Sequence, residues 1–191
     1  FMPAAASLAL VSDAPKPQPA PEGAQVVVLK FGSSILRGPQ DAPRVASAIY
    51  GHVRAGRKVV AVVSAFAGHT DALLAEARVL GLPHSNNLLP GYVALGEEKA
   101  AALTAIACAR VGLGACALSV RELGIVADGE PEHARPGGLR PDHLRQALER
   151  HEAVIVPGFG AVRPDGRIAL LGRGGSDLTA VFLAAERGLD R

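Results

Sequence analysis

Tryptophan is absent from the 191 residues, and phenylalanine and tyrosine bring the aromatic share to only 4%. A surface that stacks single-stranded nucleic acid needs exposed rings, so that function class is not expected. An excess of one charge is missing as well. Twenty basic residues face eighteen acidic ones, and the resulting +2 gives no reason to expect nucleic acid or a membrane as partner. Cysteine is scarce: Cys108 and Cys116 lie in apolar stretches and read as buried free thiols of a cytosolic protein. There is no Cys-x-x-Cys pair, and the six histidines lack ligand spacing, so no metal site is expected. No apolar run approaches transmembrane length. The weakly apolar stretch 4–11 has no basic region before it, so a signal peptide is not expected either.

Several motifs are also missing. No Gly-x-x-x-x-Gly-Lys-[Ser/Thr] loop and no Gly-x-Ser-x-Gly elbow occurs. Gly112-Leu113-Gly114 followed by Ala117 imitates a dinucleotide fingerprint, but it leads into a strand instead of leaving one.

Apolar residues, at 49%, are plentiful enough for one sizeable core. Residues 1–23 read as a flexible tail, with four prolines between 12 and 23, and residues 24–191 as one domain. Gln25 to Lys30, Lys58 to Ser64, Ala115 to Val120 and Ala153 to Val156 are apolar, β-branched runs that predict strands buried on both faces. Between them, helices are predicted from Asp41 to Ala55, Thr70 to Val79, Tyr92 to Val111 and Pro141 to Arg150, with a last one from Ser176 to Arg187. Residues 81–91 read as a loop and 124–138 as irregular. Pro164-Asp165-Gly166 reads as a hairpin turn before Ile168 to Leu171. Strands alternating with helices predict an α/β fold on a mainly parallel sheet.

In such sheets ligands bind beyond the carboxyl ends of the strands. Four loops of unusual composition leave those ends: Lys30 to Ser34, Ser64 to Asp71, Pro157 to Gly160, and Gly172 to Asp177. The first presents a cation before a glycine and two hydroxyls, an arrangement able to cradle phosphate and equally able to be a plain turn after a surface lysine. In the last, Gly172, Gly174 and Gly175 allow close backbone approach. Ser176 reads as a helix N-cap and Asp177 as a first-turn acid. Arg173, set among glycines, suits fork-like pairing with a carboxylate or phosphate. Glu97 and Glu98 follow Gly96 at what reads as a helix start, where an acid is stabilising; the other reading is that one of them holds a substrate ammonium.

Taken together these segments resemble aspartate kinases. Val28-Leu29-Lys30-Phe31-Gly32-Ser33-Ser34 is similar to the family's opening Lys-Phe-Gly-Gly-Thr-Ser motif, and Val62 to Asp71 to its Val-Ser-Ala-…-Gly-x-Thr-Asn segment. Leu95-Gly96-Glu97, Pro157-Gly158-Phe159 and Leu171 to Ala180 match later motifs in the same order. The resemblance implies a three-layer α/β/α sandwich, the amino-acid kinase fold. It also implies phosphoryl transfer from ATP, with Mg2+ carried by the nucleotide, to the β-carboxylate of aspartate in cytoplasmic amino-acid biosynthesis.

By the same resemblance Lys30 stabilises the transferring phosphoryl, with Asp177 as its catalytic companion. Gly32, Ser33 and Ser34 form the phosphate loop. Arg173 pairs with the α-carboxylate and Glu97 with the ammonium. Ser64, Thr70, Gly174 and Ser176 complete the substrate rim. Ser33, Ile35 and Asp71 depart from the family pattern of Gly, Ser and Asn. The family's later strand and Thr-Asp-Val-Asp-Gly-like segment do not occur in these residues. The chain is therefore read as the acceptor-binding portion of a fold incomplete at its C-terminus and inactive alone. The apolar helix 92–111 fits a homodimer contact and fits a buried core helix equally well. The alternative is a non-catalytic kinase-like regulatory or assembly domain of a bacterial homoserine dehydrogenase, whose kinase-like segments the Lys-Phe-Gly-Ser-Ser variant and Ala-rich helices resemble.

Overall fold

The computed structural model describes residues 24–81, 87–172 and 174–186. The expected tail 1–23, part of the 81–91 loop, Arg173 and the last turn at Arg187 lie outside the described residues.

Strand β1 (Val26–Phe31) is followed by a 3-10 turn (Pro39–Asp41) and helix α1 (Ala42–Arg54). The Asp41 carboxylate accepts the Arg37 and Gly38 amides at 2.9 and 3.3 Å and so closes the entry to the helix. Strand β2 (Lys58–Val63) leads to α2 (His69–Val79) and then to α3 (Leu89–Arg110). Next come β3 (Ala115–Ala117), a single-turn helix α4 (Val120–Leu123), β4 (Ile125–Asp128) and β5 (Arg135–Leu139). Helix α5 (Asp142–Arg150), strands β6 (Ala153–Pro157), β7 (Gly160–Val162) and β8 (Ile168–Leu170), and helix α6 (Gly175–Ala185) complete the described chain.

The main sheet runs β1-β2-β6-β3, all parallel. Its period-two alternation divides the core into two halves. Val59, Ala61, Val63, Ala153 and Ile155 join α1 and α3 on one face. Val60, Val62, Val154 and Val156 join Leu123, Leu144, Leu148 and Leu183 on the other. Each of these large side chains contributes about 1.5–3 kcal/mol by leaving water. Both faces of the parallel sheet are covered, giving the expected three layers.

Three of the readings of elements differ from the structure. Helix α3 begins at Leu89, not Tyr92, because Pro90 sits in its first turn, where a missing N–H costs nothing. The third strand stops at Ala117, and Ser119 then caps α4 by accepting the Glu122 amide. The segment read as irregular contains the antiparallel pair β4–β5, with a bulge between Val126 and Ala127. This pair joins the β7–β8 hairpin in a second, mixed sheet of order β5-β4-β7-β8. Cys108 is buried as expected, whereas Cys116 is half-buried on edge strand β3. Burial pushes the thiols up to about 12 and about 11, so neither is a ready nucleophile at neutral pH.

Among the described residues no helix is long and apolar enough to cross a membrane.

Candidate functional site

Strands β1, β2 and β6 end side by side, with Phe31 paired to Val63 and Val63 to Pro157. The loops leaving them therefore start at one edge. Gly68 and Gly174, with φ of +74° and +73°, turn the chain directly into α2 and α6. Left-handed geometry of this kind suits glycine. Neither helix start has a side-chain cap, so first-turn amides remain available to an anion.

Both helix starts open on one cleft of about 310 Å³. Ser33, Ser64 and Thr70 line it together with Glu97, Gly174 and Ser176. Lys30 reaches the same region, its Nζ 2.9 Å from Asp177 Oδ1. Three of the four predicted loops and the start of the fourth, Gly158–Phe159, thus converge. Ser34 is exposed on the turn and is not among the lining residues. Gly32 lies beneath Lys30: a Cβ there would stand 2.7 Å from its Nζ. The Lys30–Asp177 pair is partly exposed, at 30% and 68%, and such pairs are worth at most about 1 kcal/mol. An incoming anion can displace Asp177 from the lysine at little cost.

Helix α6 is fixed to the sheet edge by small residues and hydroxyls. Ser64 Oγ–H donates to Ser176 Oγ at 2.8 Å. Buried Thr179 donates to the Gly158 and Gly175 carbonyls. A Cβ on Gly158 would lie 2.6 Å from Ser176 Cβ, so only glycine permits this approach. Ser176 is consequently not the N-cap expected from sequence. Gly174 takes that position, and Ser176 is the second residue of the helix.

Glu97 differs from expectation in a more consequential way. It lies two turns inside α3, not at its start, so a helix-terminus role does not explain it. Gly96 lets Leu73, Ala65 and His69 close on the helix at 3.2–3.3 Å from its missing Cβ, which places Glu97 at the cleft. The side chain is 4% exposed, and its Oε2 has no hydrogen-bond partner. Burial pushes its pKa up to about 7; the backbone amides of Ala65 and Gly158 and the charge of Lys30 offset part of that rise. Glu98 turns away and accepts the Val120 amide at 2.9 Å.

The sequence reading did not single out the apolar walls. Phe66 and Phe159 line the cleft, and Phe159 also packs where a Cβ on Gly175 would sit. The signal was present in Pro157-Gly158-Phe159-Gly160, which was read as a loop without a role for its ring. Among the described residues no group of three or more His, Cys, Asp or Glu is placed to hold a metal ion.

A three-layer α/β/α fold with an open cleft at its strand ends and one buried acid in that cleft defines an α/β domain with a ligand-sized site. Comparison with known proteins makes this specific. The amino acid kinase family model matches residues 25–191, and the chain belongs to that family. The aspartokinase of Mycolicibacterium smegmatis is 35% identical over 166 residues, which cover 86% of this chain and 39% of that protein. The aspartate kinase from Synechocystis, with a TM-score of 0.66 and 30% identity, is matched over 85% of this chain and 26% of its own. E. coli aspartokinase III in complex with aspartate and ADP shares the fold, with a TM-score of 0.67 and 23% identity over 84% of this chain and 46% of its own. The chain spans about two-fifths of the length of the curated relatives it matches.

Proposed function

We propose that this chain carries the acceptor side of an aspartate kinase. In this reading a β-carboxylate oxygen of aspartate attacks the γ-phosphorus of ATP, the bond to the β–γ bridging oxygen breaks, and ADP leaves. The product is an acyl phosphate feeding amino-acid biosynthesis in the cytoplasm. The observation that carries this reading is the cleft itself, where Lys30, two uncapped helix starts and a buried Glu97 with one unpartnered oxygen face one space. An amino dicarboxylate offers the complementary groups: an ammonium for Glu97 and two carboxylates for amides and cations. The similarity to proteins named aspartokinase supports the same choice.

Transfer of this kind depends on charge neutralisation and positioning more than on covalent chemistry. Lys30 neutralises charge on the moving phosphoryl, assisted by the amides near Gly32 and Ser33. The flexible lysine end fills the space above Gly32 and can move aside for an oxyanion. Ser34 Oγ, 4.0 Å from the position a Cβ on Gly32 would take, adds a hydroxyl beside the same space. Asp177 leaves Lys30 and, with Thr70, Ser64 and Ser176, orients the acceptor. Gly174 permits close approach at the start of α6, and Arg173 takes the α-carboxylate. Mg2+ carried by the nucleotide would supply further charge neutralisation.

Calorimetry with aspartate tests this assignment. Arg173→Ala is expected to weaken binding about 100-fold, the worth of a lost charge-assisted pair. Failure of the unaltered chain to bind aspartate discards the reading. A hydroxamate assay on the natural full-length protein separates it from the non-catalytic homoserine dehydrogenase alternative, since acyl phosphate forms only in the first case. For assembly, Leu95 and Ile106, 50% and 58% exposed on α3, support a homodimer. A purely monomeric boundary in sedimentation velocity would discard that assembly.

A further inference from the structure

Among the described residues one buried side-chain oxygen lacks a hydrogen-bond partner, Glu97 Oε2, and it lies at the cleft. An ionised carboxylate in that condition is costly, whereas a neutral acid is not. The surrounding charges do not change this. Strand β1 brings Lys30, but Asp177 of α6 lies 2.9 Å from its Nζ and shares its charge. Helix α2 brings His69 and the Asp71 carboxylate, which adds negative charge at the cleft. The ends of β2 and β6 bring only backbone amides, from Ala65 and Gly158. On α3 itself Glu98 is held by the Val120 amide.

We propose that the cleft takes up its amino-acid acceptor by proton exchange. At mildly acidic pH Glu97 is a neutral acid in the free protein, and it releases its proton to solvent as the ligand's ammonium settles beside it. The carboxylate then gains the cation that burial otherwise denies it. This rests on the reading of the cleft as an aspartate site and adds a requirement to it: the ligand must bring a positive charge. The burial-raised value, about 7, puts the exchange within the physiological range. Aspartate keeps its ammonium and both carboxylates ionised from pH 6 to 8, so the pH dependence belongs to the protein. Affinity rises about tenfold from pH 6 to pH 8, because below 7 each pH unit removes a proton that binding must otherwise expel.

The test is carbon-13 detection of glutamate side-chain carboxyls in the full chain, with Glu97→Gln identifying the resonance. One carboxyl should titrate near 7 and be absent from the variant. Aspartate added at pH 6 should move that resonance to its ionised position. Calorimetry in two buffers of different ionisation heat should then show close to one proton released per ligand. Titration of Glu97 together with the other glutamates overturns the inference, as does aspartate binding at pH 6 with no proton released. In both cases the aspartate assignment survives. Absence of aspartate binding at any pH overturns that assignment and this inference with it.

Discussion

Glu97 shows how one residue's burial sets a measurable property of the whole chain. Its folded-state pKa is raised from 4.5 to about 7. Between those values the unfolded chain has lost the proton that the native chain keeps. Stability contributed by this group is therefore complete below about pH 4.5 and is lost as pH rises through 7. At 1.36 kcal/mol per pKa unit the loss is about 3 kcal/mol. Glu97→Gln, which cannot ionise, should match the parent protein at pH 4.5 and exceed its stability by about that amount at pH 8. Urea unfolding at the two pH values measures the difference. An equal difference at both would show that ionisation of Glu97 does not control stability. Lys30 presents the opposite case: its ion pair is partly exposed, so Lys30→Met should change stability by no more than about 1 kcal/mol while abolishing the phosphoryl transfer proposed above.

At the scale of elements, the site depends on how the start of α6 is seated on the end of β6. Thr179, fully buried, gives its hydroxyl to the Gly158 and Gly175 carbonyls. Thr179→Val keeps the shape and leaves the Gly158 carbonyl without this donor, so a loss of about 1–3 kcal/mol is expected, and Thr179→Ser should restore most of it. Gly158→Ala places a methyl 2.6 Å from Ser176 Cβ and must push α6 outward, at a cost of about 1–3 kcal/mol. Thermal unfolding of the three variants checks both estimates. The elements themselves were largely legible in the sequence, because β-branched runs such as Val59 to Val63 and Val154 to Val156 have few alternatives to a doubly covered strand. Pro90 and Gly91 misled because they read as breakers in isolation, although a proline in a first turn is compatible with helix. The β4–β5 pair was hidden by Pro131, Pro136, Gly137 and Gly138, whose composition imitates a loop. The Ser64–Ser176 bond joins residues 112 apart and leaves no local trace at all.

Across the whole molecule, the cleft draws on β1, α2, α3, the β6–β7 connection and α6, while α5 and the β4–β5 pair stand outside it. A ligand seated there binds elements that the fold otherwise connects mainly through the main sheet. Any ligand that binds only the native state stabilises it by mass action, by about 2.7 kcal/mol at 100 times its dissociation constant. For a domain of this size that corresponds to a rise of about 5–10 °C in the unfolding midpoint. Aspartate should produce this shift at pH 8 and a smaller one at pH 6 at the same concentration, because Glu97 must first release its proton. The gain should also be uneven in space. Amide exchange should slow at 64–71 and 174–178, where the two helix starts meet the ligand, and should change little in α5. Absence of any extra slowing at 64–71 and 174–178 would show that the ligand does not touch these helix starts, and the cleft would then not be the place where it binds.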